Sequence, residues 1–151
     1  MNQERIMKVK MLASMILSLF TVIALCVFIA LYFDLKAKTR QTYIEKYMEN
    51  LTYACEEIDT YLDTKTDLEL HYNMILSDVG AARTLIFLID DYSEEKQKTI
   101  NTFHYCLVKY PDQMKEKLEE SRTAMDDITA NLDKGYDELE EIIDSVDKLG
   151  T

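Results

Sequence analysis

Residues 11–33, MLASMILSLFTVIALCVFIALYF, run 23 positions without a charged side chain. At 1.5 Å per residue that is about 34 Å of helix, enough to cross a hydrocarbon core. The reading is a transmembrane helix over 11–33 behind a cytoplasmic tail of residues 1–10. A cleaved signal peptide has a shorter apolar region and small residues just ahead of the cut. Here the run leads into Tyr32-Phe33-Asp34-Leu35-Lys36 with no such site, so the helix is expected to stay as a signal anchor. Ile23-Ala24-Leu25-Cys26 has the outline of a lipoprotein box, but Leu25 stands where that motif needs a small residue. Cys26 therefore reads as a membrane-buried thiol that packs as a small hydrophobe.

The charges flanking the span are nearly balanced. Arg5, Lys8 and Lys10 precede it, and Lys36, Lys38, Arg40 and Lys46 follow. A short N-terminal tail ahead of a single span more often stays in the cytoplasm, so the remaining residues are expected to be extracytoplasmic. Asn50-Leu51-Thr52 fits a glycosylation acceptor, a triplet too common to carry weight.

Beyond the span, three glycines and one proline in 151 residues are too few to turn the many strands of a sandwich or barrel, which leaves an all-α chain. With 48% apolar and 30% charged residues the chain is also unlike a disordered one. The net charge of −11 divides unevenly, with +4 in residues 1–40 and −15 in residues 41–151. An acidic domain of that strength repels phosphate backbones and anionic headgroups, so nucleic acid is excluded as a partner.

Helices follow from spacing. Ile44, Met48, Leu51, Cys55, Ile58 and Leu62 recur at 4-3-4-3-4, which carries the membrane helix on to about residue 63. Thr66-Asp67-Leu68-Glu69 has the form of a capping box and starts a second helix, with the seam Leu68, Tyr72, Ile75, Val79, Ala82, Ile86 and Ile89. Ser93 followed by Glu94 and Glu95 caps a third, with the seam Ile100, Phe103, Leu107 and Tyr110. A fourth seam runs Met114, Leu118, Ser121, Met125, Ile128, Leu132, Gly135, Leu139, Ile142, Val146 and Leu149. Four seams joined by short polar connections predict an antiparallel helical bundle with coiled-coil-like heptad packing over residues 34–134, then an acidic C-terminal helix and end over 135–151.

Lengths leave one point open. The second, third and fourth helices come to about 39, 25 and 57 Å, so the fourth overshoots its neighbours. Either the chain turns at Pro111 and breaks near Gly135, or Pro111 only kinks one long helix. A one-residue slip of the seam between Tyr110 and Leu118 favours the turn.

No phosphate loop, zinc helix, CxxC pair or nucleophile elbow occurs, so no enzyme activity and no cofactor are expected. His71 and His104 lack a second ligand at i+3 or i+4 and read as half-exposed polar residues, with His104 level with Ala81. Cys55 and Cys106 lie on or beside apolar seams. Free buried thiols are favoured, and a disulfide between them stays possible on register. The acids from Glu116 to Asp147 lack a calcium loop and read as a solvated face. Gly80-Ala81-Ala82-Arg83 is the most suggestive local feature, since mid-helix glycine costs about 1 kcal/mol relative to alanine. A pocket in which Gly80 leaves room, Arg83 binds a carboxylate or phosphate and Tyr72 forms a wall competes with plain close packing and a solvated Arg83. Phe87 and Tyr92 are further candidate walls.

One N-terminal span continuing into heptad-patterned helices resembles the ligand-sensing four-helix bundle of bacterial chemoreceptors and histidine kinases. The resemblance covers residues 11–149 by architecture, with no shared motif. It implies an extracytoplasmic small-ligand sensory domain. Those receptors return through the membrane to a signalling module, and no second span follows here, so signalling is expected to pass through a partner. The reading placed first is a non-enzymatic, single-pass, membrane-anchored interaction or assembly module that binds another envelope protein or itself. Leu139, Ile142, Val146 and Leu149 are the expected docking residues, because the neighbouring helices run out before them.

Overall fold

A computed structural model describes residues 2–64, 66–90 and 92–147. Among the described residues there are α-helices and no strand: α1 (Asn2–Asp63), α2 (Leu68–Ile86), α3 (Glu94–Lys109), α4 (Pro111–Lys115), α5 (Leu118–Ala130) and α6 (Tyr136–Ser145). The chain divides into two compact units, Met1–Thr39 and Arg40–Thr151.

The described residues of the first unit all lie within α1. Their apolar side chains are uncovered throughout, from Phe28 at 70% exposed to Ile16 and Ile29 at 48%, and none of the unit's most apolar window is buried. The polar contacts are local. Glu4 pairs with Lys8 and Asp34 with Lys38 one turn apart, and the Thr21 hydroxyl donates to the Leu17 carbonyl. This is one helix long and apolar enough to span a membrane.

The second unit holds the core. From α1 it takes Ile44, Tyr47, Leu51, Ala54, Cys55 and Ile58, whereas Leu62 stays 49% exposed and Met48 is half-buried. Of the expected 44-48-51-55-58-62 seam, Ile44, Leu51, Cys55 and Ile58 are thus buried, and Tyr47 and Ala54 join them on the side away from Met48 and Leu62. Tyr47 fits there because its ring packs edge-on to Tyr92 and its hydroxyl meets that of Tyr136 at 3.0 Å, so a buried phenol is satisfied at both ends.

The capping box at Thr66 does not form. Asp67 occupies the N-cap of α2 with φ 55 and no side-chain cap bond, while the Thr66 hydroxyl pairs with Thr64 instead. In that left-handed geometry the chain reverses before the hydroxyl can reach a helix amide. The α2 seam is buried from Tyr72 to Ile89, and Leu68 at its start is 38% exposed. For α3 the expected cap is present: the Ser93 hydroxyl accepts from the Lys96 amide at 3.3 Å, with Glu94 and Glu95 in the first turn.

At Pro111 the chain turns. Lys96, near the start of α3, donates to the Leu132 carbonyl at 2.9 Å and to Asp133 at 2.5 Å, beyond the end of α5. Along one kinked helix those residues would stand about 54 Å apart. Pro111 opens α4, where its missing amide hydrogen is no loss. After Ala130 the Asn131 side chain accepts from the Asp133 amide in a local turn. Gly135 then starts α6 with φ +80. A Cβ on Gly135 would lie 2.2 Å from the Ala124 carbonyl and 2.8 Å from the Ile128 side chain, so glycine is required here for its φ and for a close backbone approach to α5. The break expected near Gly135 thus comes at Asn131, with Gly135 as the start of the next helix.

The helix that follows is no free tail. α6 packs on both α3 and α5, inside the same unit as the rest of the core. Leu139 is fully buried, and Ile142 and Val146 are 5% and 4% exposed. This corrects the expected docking seam: because the chain folds back at Asn131 to Gly135, α3 and α5 themselves cover these side chains. Leu149 lies outside the described residues.

Candidate functional site

Gly80 sits where α2 crosses α3, and the neighbour it admits is His104. A Cβ on Gly80 would fall 3.1 Å from Nε2 of that ring, so glycine lets the imidazole lie against the α2 backbone. The register expected from sequence, His104 roughly level with Ala81, holds to within one residue. From this contact outward the two helices form an open groove of about 360 Å³, lined by Arg83, Asn101, Thr102, His104, Tyr105 and Val108. The volume is at the low end for small-molecule sites.

The groove is built from one face of each helix. On α3, Ile100, Phe103 and Leu107 point into the core, and residues 101, 104, 105 and 108 fall on the opposite flank at helical spacing. Tyr105 and Val108 are 53% and 55% exposed, and Asn101, Thr102 and His104 are half-buried. Arg83 comes from the last turn of α2, and among the described residues no carboxylate pairs with it. Burial and, second, the positive charge of Arg83 push the His104 imidazole below its usual range, while the Leu76 carbonyl, accepting from the ring, opposes them. The ring is therefore neutral at pH 7 and offers hydrogen-bonding capacity without charge.

Two other grooves differ in charge. One of about 580 Å³ between α5 and α6 carries Glu120, Glu138 and Glu141. Another of about 270 Å³ between α3 and α6 carries Glu140 and Asp144, with Glu140 taking a 2.8 Å hydrogen bond from Thr99. In a unit this acidic, the α2–α3 groove stands out because no carboxylate lines it.

Of the residues singled out in the sequence, Arg83 lines this groove, Gly80 lies behind its His104 ring, and Tyr72 does not reach it. The Tyr72 hydroxyl donates to the Leu107 carbonyl at 2.8 Å and its ring takes Lys115 on one face and Tyr61 beside it, so it is a core residue rather than a wall. Phe87 lies exposed after the end of α2, and Tyr92 packs on Tyr47. Neither lines the groove. The sequence reading missed Asn101, Thr102, Tyr105 and Val108, although their i, i+3/i+4 spacing opposite the Phe103 seam is a signal that could have found them.

Elsewhere, polar residues serve packing. His71 pairs with Glu57 at 2.8 Å across α1 and α2, and the nearby Asp78 carboxyl is raised by burial and by Glu57. Cys55 donates to the Arg122 carbonyl at 3.6 Å, on the α5 side, and burial pushes its thiol up to about 12. Cys55 and Cys106 are both buried, and neither is in a disulfide. Lys96 lies over the rings of Tyr92 and Tyr136 while holding Asp133, which locks the α3 start to the α5–α6 turn. Among the described residues no three His, Cys, Asp or Glu side chains gather to hold a metal ion.

No family model, no curated protein and no solved structure matches this chain.

Proposed function

We propose that the protein is a single-pass, membrane-anchored helical-bundle module, non-enzymatic, that acts by binding another envelope protein or a second copy of itself. The observation that carries this reading is the contrast within α1. The helix holds a charge-free run that the chain leaves uncovered, and it then supplies Ile44, Tyr47, Leu51 and Ile58 to a closed core. An apolar run of that length finds its cover in a bilayer. In this reading the four seams form an antiparallel bundle with heptad-like packing, the tail of residues 1–10 is cytoplasmic and the acidic unit is extracytoplasmic.

With α6 internal, docking falls to apolar residues that remain exposed, of which Leu70 and Met74 lie one turn apart on α2 at 57% and 39% exposure. Photo-crosslinking residues placed at Leu70 and Met74 of the full chain in cells should yield one discrete adduct. Purification of a monomer with no adduct at either position would refute the interaction reading.

A second reading, an extracytoplasmic small-ligand sensory domain, is supported by the α2–α3 groove, where a guanidinium with no carboxylate partner among the described residues stands beside a half-buried imidazole.

A further inference from the structure

Three features of the α2–α3 groove select among ligand chemistries. The first is charge. Arg83 supplies a planar guanidinium fork that carries no paired carboxylate among the described residues, whereas the α5–α6 groove sets Glu120, Glu138 and Glu141 against Lys117, and the α3–α6 groove sets Glu140 and Asp144 against Lys98, so carboxylates outnumber cations in both. A cationic ligand would favour those; an anionic one is repelled by them and favoured here. The second is multiplicity. There is one cation and no lysine, and the imidazole of His104 is held neutral by burial and by Arg83. That suits a monoanion, since a phosphate dianion is typically held by several charges or by a row of backbone amides. The third is the mixed lining. The half-buried Asn101 and Thr102 offer an amide and a hydroxyl free of other hydrogen bonds among the described residues, and Tyr105 and Val108 offer apolar surface alongside.

We infer that this groove binds a small organic monocarboxylate with a short apolar or aromatic tail. The carboxylate is held by Arg83 with Asn101 and Thr102, and the tail lies against Tyr105 and Val108. Gly80 belongs to the site indirectly, because without its open Cβ position the His104 ring that floors the groove would be displaced by a few tenths of an ångström. The inference rests on the small-ligand reading and specifies its chemistry.

Bound carboxylate would offset the charge of Arg83 and remove one of the two causes that hold His104 down, so ligand binding and His104 protonation are linked. That gives a readout independent of any downstream signal. The chain has two histidines, so ring-labelled full-length protein in detergent gives two assignable imidazoles, with His71 as the reference. Sodium phenylacetate, inorganic phosphate and choline would each be titrated at constant ionic strength. The expected result is a saturable change at His104 with phenylacetate, a rise of its titration midpoint by roughly half to one pH unit, and no change at His71. Arg83→Gln, an exposed substitution whose folding is checked by circular dichroism, should abolish the response, and Tyr105→Ala should weaken it. Saturation by phosphate or choline in place of phenylacetate would overturn the carboxylate assignment and leave a ligand site standing. If no probe saturates, or if saturation persists in Arg83→Gln, the small-ligand reading itself falls.

Discussion

The run 11–33 and the α6 seam are both apolar, and they meet opposite fates. In 11–33 every side chain is apolar or uncharged, and the folded chain covers none of its most hydrophobic window. In α6 the apolar positions share the helix with Asp137, Glu138, Glu140, Glu141 and Asp144, and Leu139, Ile142 and Ile143 are buried by the chain itself. A helix with one polar face can satisfy water on that side and protein on the other. A helix with none must find an apolar surrounding on all sides. What covers a stripe is therefore told by the residues around it, and the acids beside Leu139 mark the outward face of a core helix.

The largest test of that comparison removes the α6 stripe. Leu139→Ser with Ile142→Ser should unfold residues 40–151 cooperatively, because each large-to-small core change costs about 2–5 kcal/mol and a domain holds only about 5–15. A folded double variant would return α6 to the role of an exposed docking segment. Gly135→Ala comes next. It combines a left-handed φ with a Cβ driven onto the Ala124 carbonyl, and a loss of about 2–4 kcal/mol in chemical denaturation is expected. A loss under 1 kcal/mol would show that α5 and α6 do not approach as closely as described.

Smaller effects probe the groove and the first loop. Because His104 is held below its usual range, the unfolded chain binds its proton more readily. Stability is then complete above the unfolded pKa of about 6.5 and falls as pH drops below it toward the folded value. His104→Gln should flatten that part of the pH–stability profile, and Arg83→Gln should raise the His104 midpoint. Thr66→Ala should change stability by less than about 0.5 kcal/mol, since no cap bond from Thr66 to α2 exists to be lost.

Much of this was legible in the sequence. Ser93 capped its helix as its spacing to Glu94 and Glu95 predicted, and the α2 and α3 seams are buried except for Leu68 at the start of the first and Tyr110 at the end of the second. Two kinds of error have physical causes. A strict 4-3 spacing counted from Ile44 falls on Met48 and passes over Tyr47, although a phenol with a partner such as Tyr136 buries as well as any aliphatic residue. Linear reading also assigns each apolar stripe to the neighbours it reaches in an unbroken helix. The fold-back at Asn131 to Gly135 is a tertiary event whose only local mark is one glycine, and it supplied α6 with neighbours that counting residues could not. For the site, Gly80 and Arg83 were visible as exceptions within a helix. The α3 flank was not, because Asn101, Thr102, Tyr105 and Val108 look like an ordinary exposed face until α2 is laid beside it.

The central claim is that the uncovered run in α1 is covered by lipid. Alkaline carbonate extraction of membranes from cells making the full chain tests it most directly. The wild-type chain should remain in the pelleted bilayer, and a variant with Leu17→Lys, Ile23→Lys and Phe28→Lys should be released to the supernatant with residues 40–151 still folded. Release of the wild-type chain by the same wash would contradict the account, since it would mean that the run is covered by protein and not by a membrane.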